Sequence, residues 1–178
     1  MTHYAMFQLL KILWEIALFQ RGPQDLPSSV FLFRLSAVAY LLVGISVVLL
    51  PLPFLPMIAI ALVDTVLMAV LVVAVLYLRR RQVRILQTLT AVYGTLALLG
   101  LPMLPVTGWL LQADSIGGSV ALASTAFWAF YFWSIAVLGN ILRLAMEIPL
   151  FHGLLLSYAY FFLWHQFAPL FIGDTPGG

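Results

Sequence analysis

Arg79-Arg80-Arg81-Gln82-Val83-Arg84 gathers four of the chain's eight basic residues into six positions, between an apolar run ending at Leu78 and another opening at Ile85. A guanidinium group keeps its charge at any working pH and is too costly to carry through hydrocarbon. A loop of this kind stays outside a bilayer core. By the bias of lysine and arginine toward cytoplasmic loops, it also marks the inner side.

The composition around that loop demands a lipid solvent. Of 178 residues 64% are hydrophobic and only 8% charged, with a mean hydropathy of +1.11. A soluble domain carries about a quarter charged residues, so this chain has too little polar surface to cover itself. Its length suits one domain. The net charge of +2 is local to the arginine loop and does not indicate nucleic acid. Cysteine is absent, which excludes disulfides, thiolate nucleophiles and Cys-ligated metals.

Working outward, the apolar runs divide into five expected spans: about 30–50, 57–78, 85–103, 119–142 and 149–172. The prolines at 51, 53 and 56 are expected to make a tight turn. Residues 104–118, after Pro102 and Pro105, read as the longest connector, a short interfacial turn or partial re-entry. The fourth span is expected to extend as helix toward Glu147, and Pro149 suits the first turn of the fifth. Ser36, Tyr40 and Gly44, spaced by four, offer one close-packing stripe on the first span.

Before these spans, Tyr4 to Phe19 reads as a helix. Its broad apolar face holds Phe7, Leu10, Trp14, Ala17 and Leu18, and its narrow polar stripe holds Tyr4, Gln8, Lys11 and Glu15. It is too short and too polar to span and is expected to lie in the interface. With no basic leader and no small-residue cleavage site, it is not expected to be a signal peptide. Pro23 and Pro27 stop it, and Asp25, Ser28 or Ser29 can cap the next helix. The expected organisation is an interfacial helix with its connector (1–29), a bundle (30–173) and a polar tail (174–178). Threading the chain five times with the N-terminus in and the C-terminus out puts all eight basic residues on the inner side and leaves Asp114 and Asp174 outside. The fold class is an all-α integral membrane protein.

Chemistry has few places to reside. Asp64 is the acidic residue well inside an expected span, and an ionisable group there is a functional candidate. His165 stands at a similar expected depth, so the two could form a proton-accepting pair or half of a cation site. The structural alternative is an aspartate gluing helices, with His165 or Thr95 as partner. His152 and His165 lie about 20 Å apart along one helix and cannot share a metal. Phe127, Trp128, Phe130, Tyr131, Phe132 and Trp133 sit mid-span rather than in an interfacial belt, and Tyr158, Tyr160, Phe161, Phe162 and Trp164 follow on the next span. Such rings can pack among themselves, or they can meet lipid, a quinone or pigment, or another protein's helices. Arg143 and Glu147 are spaced to pair. Arg79, Arg80, Arg81 and Arg84 anchor and orient the chain, with anionic headgroups or an acidic partner as possible contacts. No phosphate-binding glycine loop, His-Glu-x-x-His or Gly-x-Ser-x-Gly occurs. Neither an enzyme nor a metal is expected, and no cofactor beyond a possible quinone or pigment.

The short amphipathic helix, the proline-rich connector and five closely spaced spans, with Trp133-Ser-Ile-Ala-Val-Leu-Gly-Asn-Ile-Leu-Arg143 opening the last hairpin, resemble the Yip-type (Rab-GTPase-interacting) membrane proteins and their bacterial relatives. The resemblance implies a bacterial inner-membrane protein that acts through other membrane proteins or lipids. The function expected first is therefore a non-enzymatic accessory or scaffold subunit, associating through the aromatic fourth and fifth spans. The alternatives are a small transporter or lipid-handling protein using Asp64 and His165, or a quinone- or pigment-contacting subunit.

Overall fold

Thr88, Thr90, Ala91, Gly94, Thr95 and Ala97 recur along the stretch after the arginine loop, and side chains this small let neighbouring helices approach from every side. In the computed structural model, which describes residues 2–49, 54–116 and 119–168, this stretch is the axis of the molecule. The described residues form six helices in order: α1 (Thr2–Ala17), α2 (Val30–Leu49), α3 (Phe54–Leu78), α4 (Ile85–Ile116), α5 (Val120–Met146) and α6 (Leu150–Phe167), with single 3-10 turns at Pro23–Asp25 and Gln82–Arg84. The described residues contain no strand. Helix α4 packs against α1, α2, α3 and α5, while α6 rests mainly on α5. Thr88 through Ala97 are buried without interruption. The threonine hydroxyls at 88 and 90 donate to the carbonyls of Arg84 and Leu86, one turn back, at 2.8 Å each.

Among the described residues four helical segments are long and apolar enough to cross a membrane: Val30–Val47, Met57–Leu78, Gln82–Ala113 and Val120–Met146. Helix α6, with His152, His165 and Gln166 among its described residues, is not one of them. The expected end of the fifth span at Ile172 and the tail 174–178 lie outside the described residues, as does most of the turn after Leu49.

Two proline readings need correction. Helix α3 starts at Phe54 and takes Pro56 into its first turn, where the missing N–H has no helical partner to lose. Helix α4 does not stop at Met103 but runs through Pro102 and Pro105 to Ile116, so the expected connector is mostly helix. In an apolar medium, ending a helix exposes far more unsatisfied backbone than two prolines do, and neighbouring helices hold the chain in line.

Helix α1 divides its apolar surface in two. Leu9, Leu13, Ile16 and Ala17 are buried against the bundle, while Phe7, Leu10 and Trp14 point outward. Glu15 pairs with Arg21 at 2.8 Å and more loosely with Lys11 at 3.9 Å. The Trp133 indole donates to the Ala17 carbonyl at 2.9 Å and so caps the end of α1 from α5. Gln87 donates to the Leu26 carbonyl at 2.8 Å, fixing the connector to α4. Of the expected caps, Ser29 serves α2, accepting from the Leu32 N–H at 3.4 Å. Asp25 turns back to the Gly22 N–H at 2.9 Å.

The hairpin of α5 and α6 closes on two glycines. A Cβ on Gly139 would stand 2.9 Å from Leu154 Cα, and one on Gly153 would overlap the Gly139 carbonyl oxygen and meet Arg143 Cβ at 2.9 Å. Buried Ser157 adds a hydrogen bond to the Ile135 carbonyl at 2.7 Å. Gly153→Ala is expected to lower stability by about 1–3 kcal/mol, because backbone rather than a movable side chain must give way. Gly108, with nothing within 4 Å of its would-be Cβ, serves as control: Gly108→Ala should be neutral or stabilising by about 0.5–1 kcal/mol. Thermal unfolding in mild detergent separates the two.

Candidate functional site

Asp64 lies ten residues into α3, about 15 Å from its start at roughly 1.5 Å of rise per residue. Tyr40, Tyr93 and Tyr160 lie eight to ten residues into α2, α4 and α6, which start from the opposite end of the bundle. The alternation of helix directions thus brings one carboxyl and three phenols to mid-depth from four helices.

The contacts are specific. The Tyr40 hydroxyl donates to Asp64 Oδ2 at 2.5 Å and the Tyr160 hydroxyl to Oδ1 at 2.7 Å, with the Asp64 carbonyl also 3.1 Å from it. Both lengths fall in the range of hydroxyl bonds to carboxylate oxygen. The Tyr93 hydroxyl donates to the next carbonyl along α3, that of Thr65, at 2.6 Å. Its ring lies 5.1 Å from that of Tyr40. No cation pairs with Asp64 among the described residues. Each carboxyl oxygen has a donor of its own, so the group joins α2, α3 and α6 while Tyr93 adds α4. This arrangement is a clasp. It could also hold or pass a proton, because phenol and carboxyl are both donors once protonated.

Asp64 is therefore met by tyrosines, and the expected pair with His165 does not form. His165 follows Tyr160 by five residues, nearly a turn and a half, which turns it away from the clasp to an exposed position. Thr95, the other suggested partner, is buried with no hydrogen-bond partner for its hydroxyl and does not reach Asp64. Tyr160, expected among the aromatics that can meet lipid or a partner, is 8% exposed and faces inward. A signal for it was present: a tyrosine inside an apolar bundle brings a hydroxyl that needs a partner, and Asp64 was the acceptor at hand.

The other aromatics separate by face. Trp128 and Phe132 are at least half exposed, and Trp133 is partly exposed although its indole N–H serves α1. Phe127, Phe130, Tyr131 and Trp164 are half-buried. Tyr131 meets Phe161 of α6 edge-on at 5.3 Å, and Phe130 stacks with Trp133 at 6.4 Å. The cluster is thus partly internal packing and partly outer surface.

At the arginine loop, Arg81 grips both oxygens of Glu147 at 2.5 Å, and Arg84 reaches the same carboxylate at 2.8 Å. The expected Arg143–Glu147 pair is replaced because Glu147 ends α5 in a left-handed conformation (φ 55°, ψ 53°), which swings its side chain off the face it would share with Arg143 although its N–H still bonds the Arg143 carbonyl. Arg79 and Arg80 are exposed, with no ion pair among the described residues. Hydrogen bonding from Arg81, reinforced by Arg84, holds the Glu147 carboxyl below the usual glutamate range.

Tyr40→Phe and Tyr160→Phe should each destabilise the protein by about 1–3 kcal/mol, since each strands a carboxyl oxygen away from water. Tyr158→Phe, at an exposed ring, should change little. The Glu147 tie has its own pH signature. A carboxyl whose folded pKa is depressed contributes stability above its unfolded pKa and loses it as pH falls through the folded value. Unfolding curves of wild type and Glu147→Gln should therefore differ at neutral pH and converge in acid. No protein-family model, curated protein or solved structure matches the chain, so its function is argued from this geometry.

Proposed function

We propose that this protein is a non-enzymatic accessory or scaffold subunit of a larger complex in a bacterial inner membrane. It is threaded five times, with its N-terminus inside and its C-terminus outside. The observation that carries the reading is the division of its surface. The interior carboxyl of Asp64 is satisfied by phenols of the bundle, while Trp128, Phe132, Tyr158 and Phe162 are each half exposed or more on the outer faces of α5 and α6. Large rigid rings facing outward from two adjacent helices suit a neighbouring transmembrane helix, which gains packing contacts that disordered lipid tails do not hold. The Yip-like layout points the same way. A polar path through Asp64 is the second reading, favoured by the mid-depth position of the carboxyl alone. A quinone or pigment against the rings is a third, open to a simple absorbance spectrum of the purified protein.

Purification from native membranes in mild detergent should yield a partner at fixed stoichiometry, and replacing Trp128, Phe132 and Phe162 with alanine should release it without lowering the thermal midpoint. A monomer in the native extract contradicts the reading. The threading has a separate test, which the absence of cysteine makes clean: a cysteine placed at Val83, 92% exposed, should resist a membrane-impermeant maleimide in intact cells and react after permeabilisation.

A further inference from the structure

Between the end of α3 and the start of α6, beside the arginine loop, lies a groove of about 480 Å³. Its walls are aliphatic, with Val75 and Leu78 on one side and Leu155 and Leu156 on the other. Arg79 and His152, both exposed, also line it. Leu78 also borders a second apolar depression on the other flank of α3, between Ala69 and Tyr77. The charge at this end is uneven. Glu147 also borders the groove, but its carboxylate is held by Arg81 and Arg84. Arg79 therefore borders the groove with no carboxylate of its own among the described residues.

We propose that this groove seats one anionic glycerophospholipid, with an acyl chain between α3 and α6 and its phosphate at Arg79 and His152. The second chain lies over Leu78 in the neighbouring depression. Each half of the site answers one half of that molecule. The leucine and valine walls bury hydrocarbon, and the unpaired guanidinium offers bidentate donors to a phosphate diester where a lipid headgroup would stand. A neutral zwitterionic lipid brings its own cation to the same place and gains less from Arg79. An acidic protein segment would use the arginine and leave the walls empty.

The test is a thermal-shift comparison of the purified chain in neutral detergent, titrated with phosphatidylglycerol, with phosphatidylcholine of the same acyl chains, and with inorganic phosphate. Phosphatidylglycerol at about a hundredfold excess over its Kd should raise the Tm by about 5 °C or more, and the other two should give much smaller shifts. Arg79→Gln and Leu155→Trp should each abolish the difference, one by removing the headgroup contact and the other by filling the groove. Arg80→Gln, which neutralises the adjacent arginine that does not line the groove, should preserve it. Equal shifts with both lipids, a full shift with phosphate alone, or a difference that survives either Arg79→Gln or Leu155→Trp would overturn the proposal.

Discussion

A carboxyl group placed midway through an apolar bundle without a cation must be given donors by its neighbours, and that requirement shapes the interior of this protein. Asp64 receives a phenol on each oxygen, from α2 and from α6, and the third phenol binds the carbonyl that follows it. The central helix α4 and two others, α2 and α6, are thereby referred to one point on α3. Because hydrocarbon offers no substitute hydrogen bonds, each of these contacts specifies position more sharply than apolar packing could. The small-residue axis of α4 provides the close approach that makes the convergence possible.

The two ends and the outside of the bundle follow different rules. Helix α1 is docked by an indole N–H to its last carbonyl and keeps a second apolar face for the surroundings. The arginine loop is closed by one exposed carboxylate shared between two guanidiniums, a tie that solvent and salt weaken. The most exposed rings, Trp128 and Phe132 on α5 and Tyr158 and Phe162 on α6, make their ring contacts within their own helices. Trp133 alone among the exposed rings of α5 serves both sides, its indole N–H docking α1.

Much of the architecture was legible because it follows from coarse quantities. Low charge, long apolar runs and one dense arginine loop point to a helical bundle in lipid, and the helix limits near Val30, Leu78, Ile85 and Pro149 follow from charge and proline. What failed depended on geometry that spacing does not contain. Pro102 and Pro105 read as a stop, yet backbone satisfaction carried α4 through them. Asp64 was found from its charge alone, but choosing its partner required the rotational setting of α6, and five residues of helix separate Tyr160 from His165. Glu147 was paired by helical periodicity with Arg143, and a single left-handed residue redirected it to the loop. The buried part of α4, Thr88 to Ala97, carries no charge or strong periodicity to announce its burial, only the recurrence of small side chains.

The convergence of the bundle on α3 requires Asp64 and Tyr160 to act as one unit. A double-mutant cycle with Asp64→Asn, Tyr160→Phe and the combined variant, read by unfolding in detergent, measures that coupling directly. We expect a coupling of about 1–2 kcal/mol, with the double variant losing less than the sum of the single ones. Strict additivity would mean that the carboxyl and the phenol do not meet, and the convergence of α3 and α6 described above would be wrong.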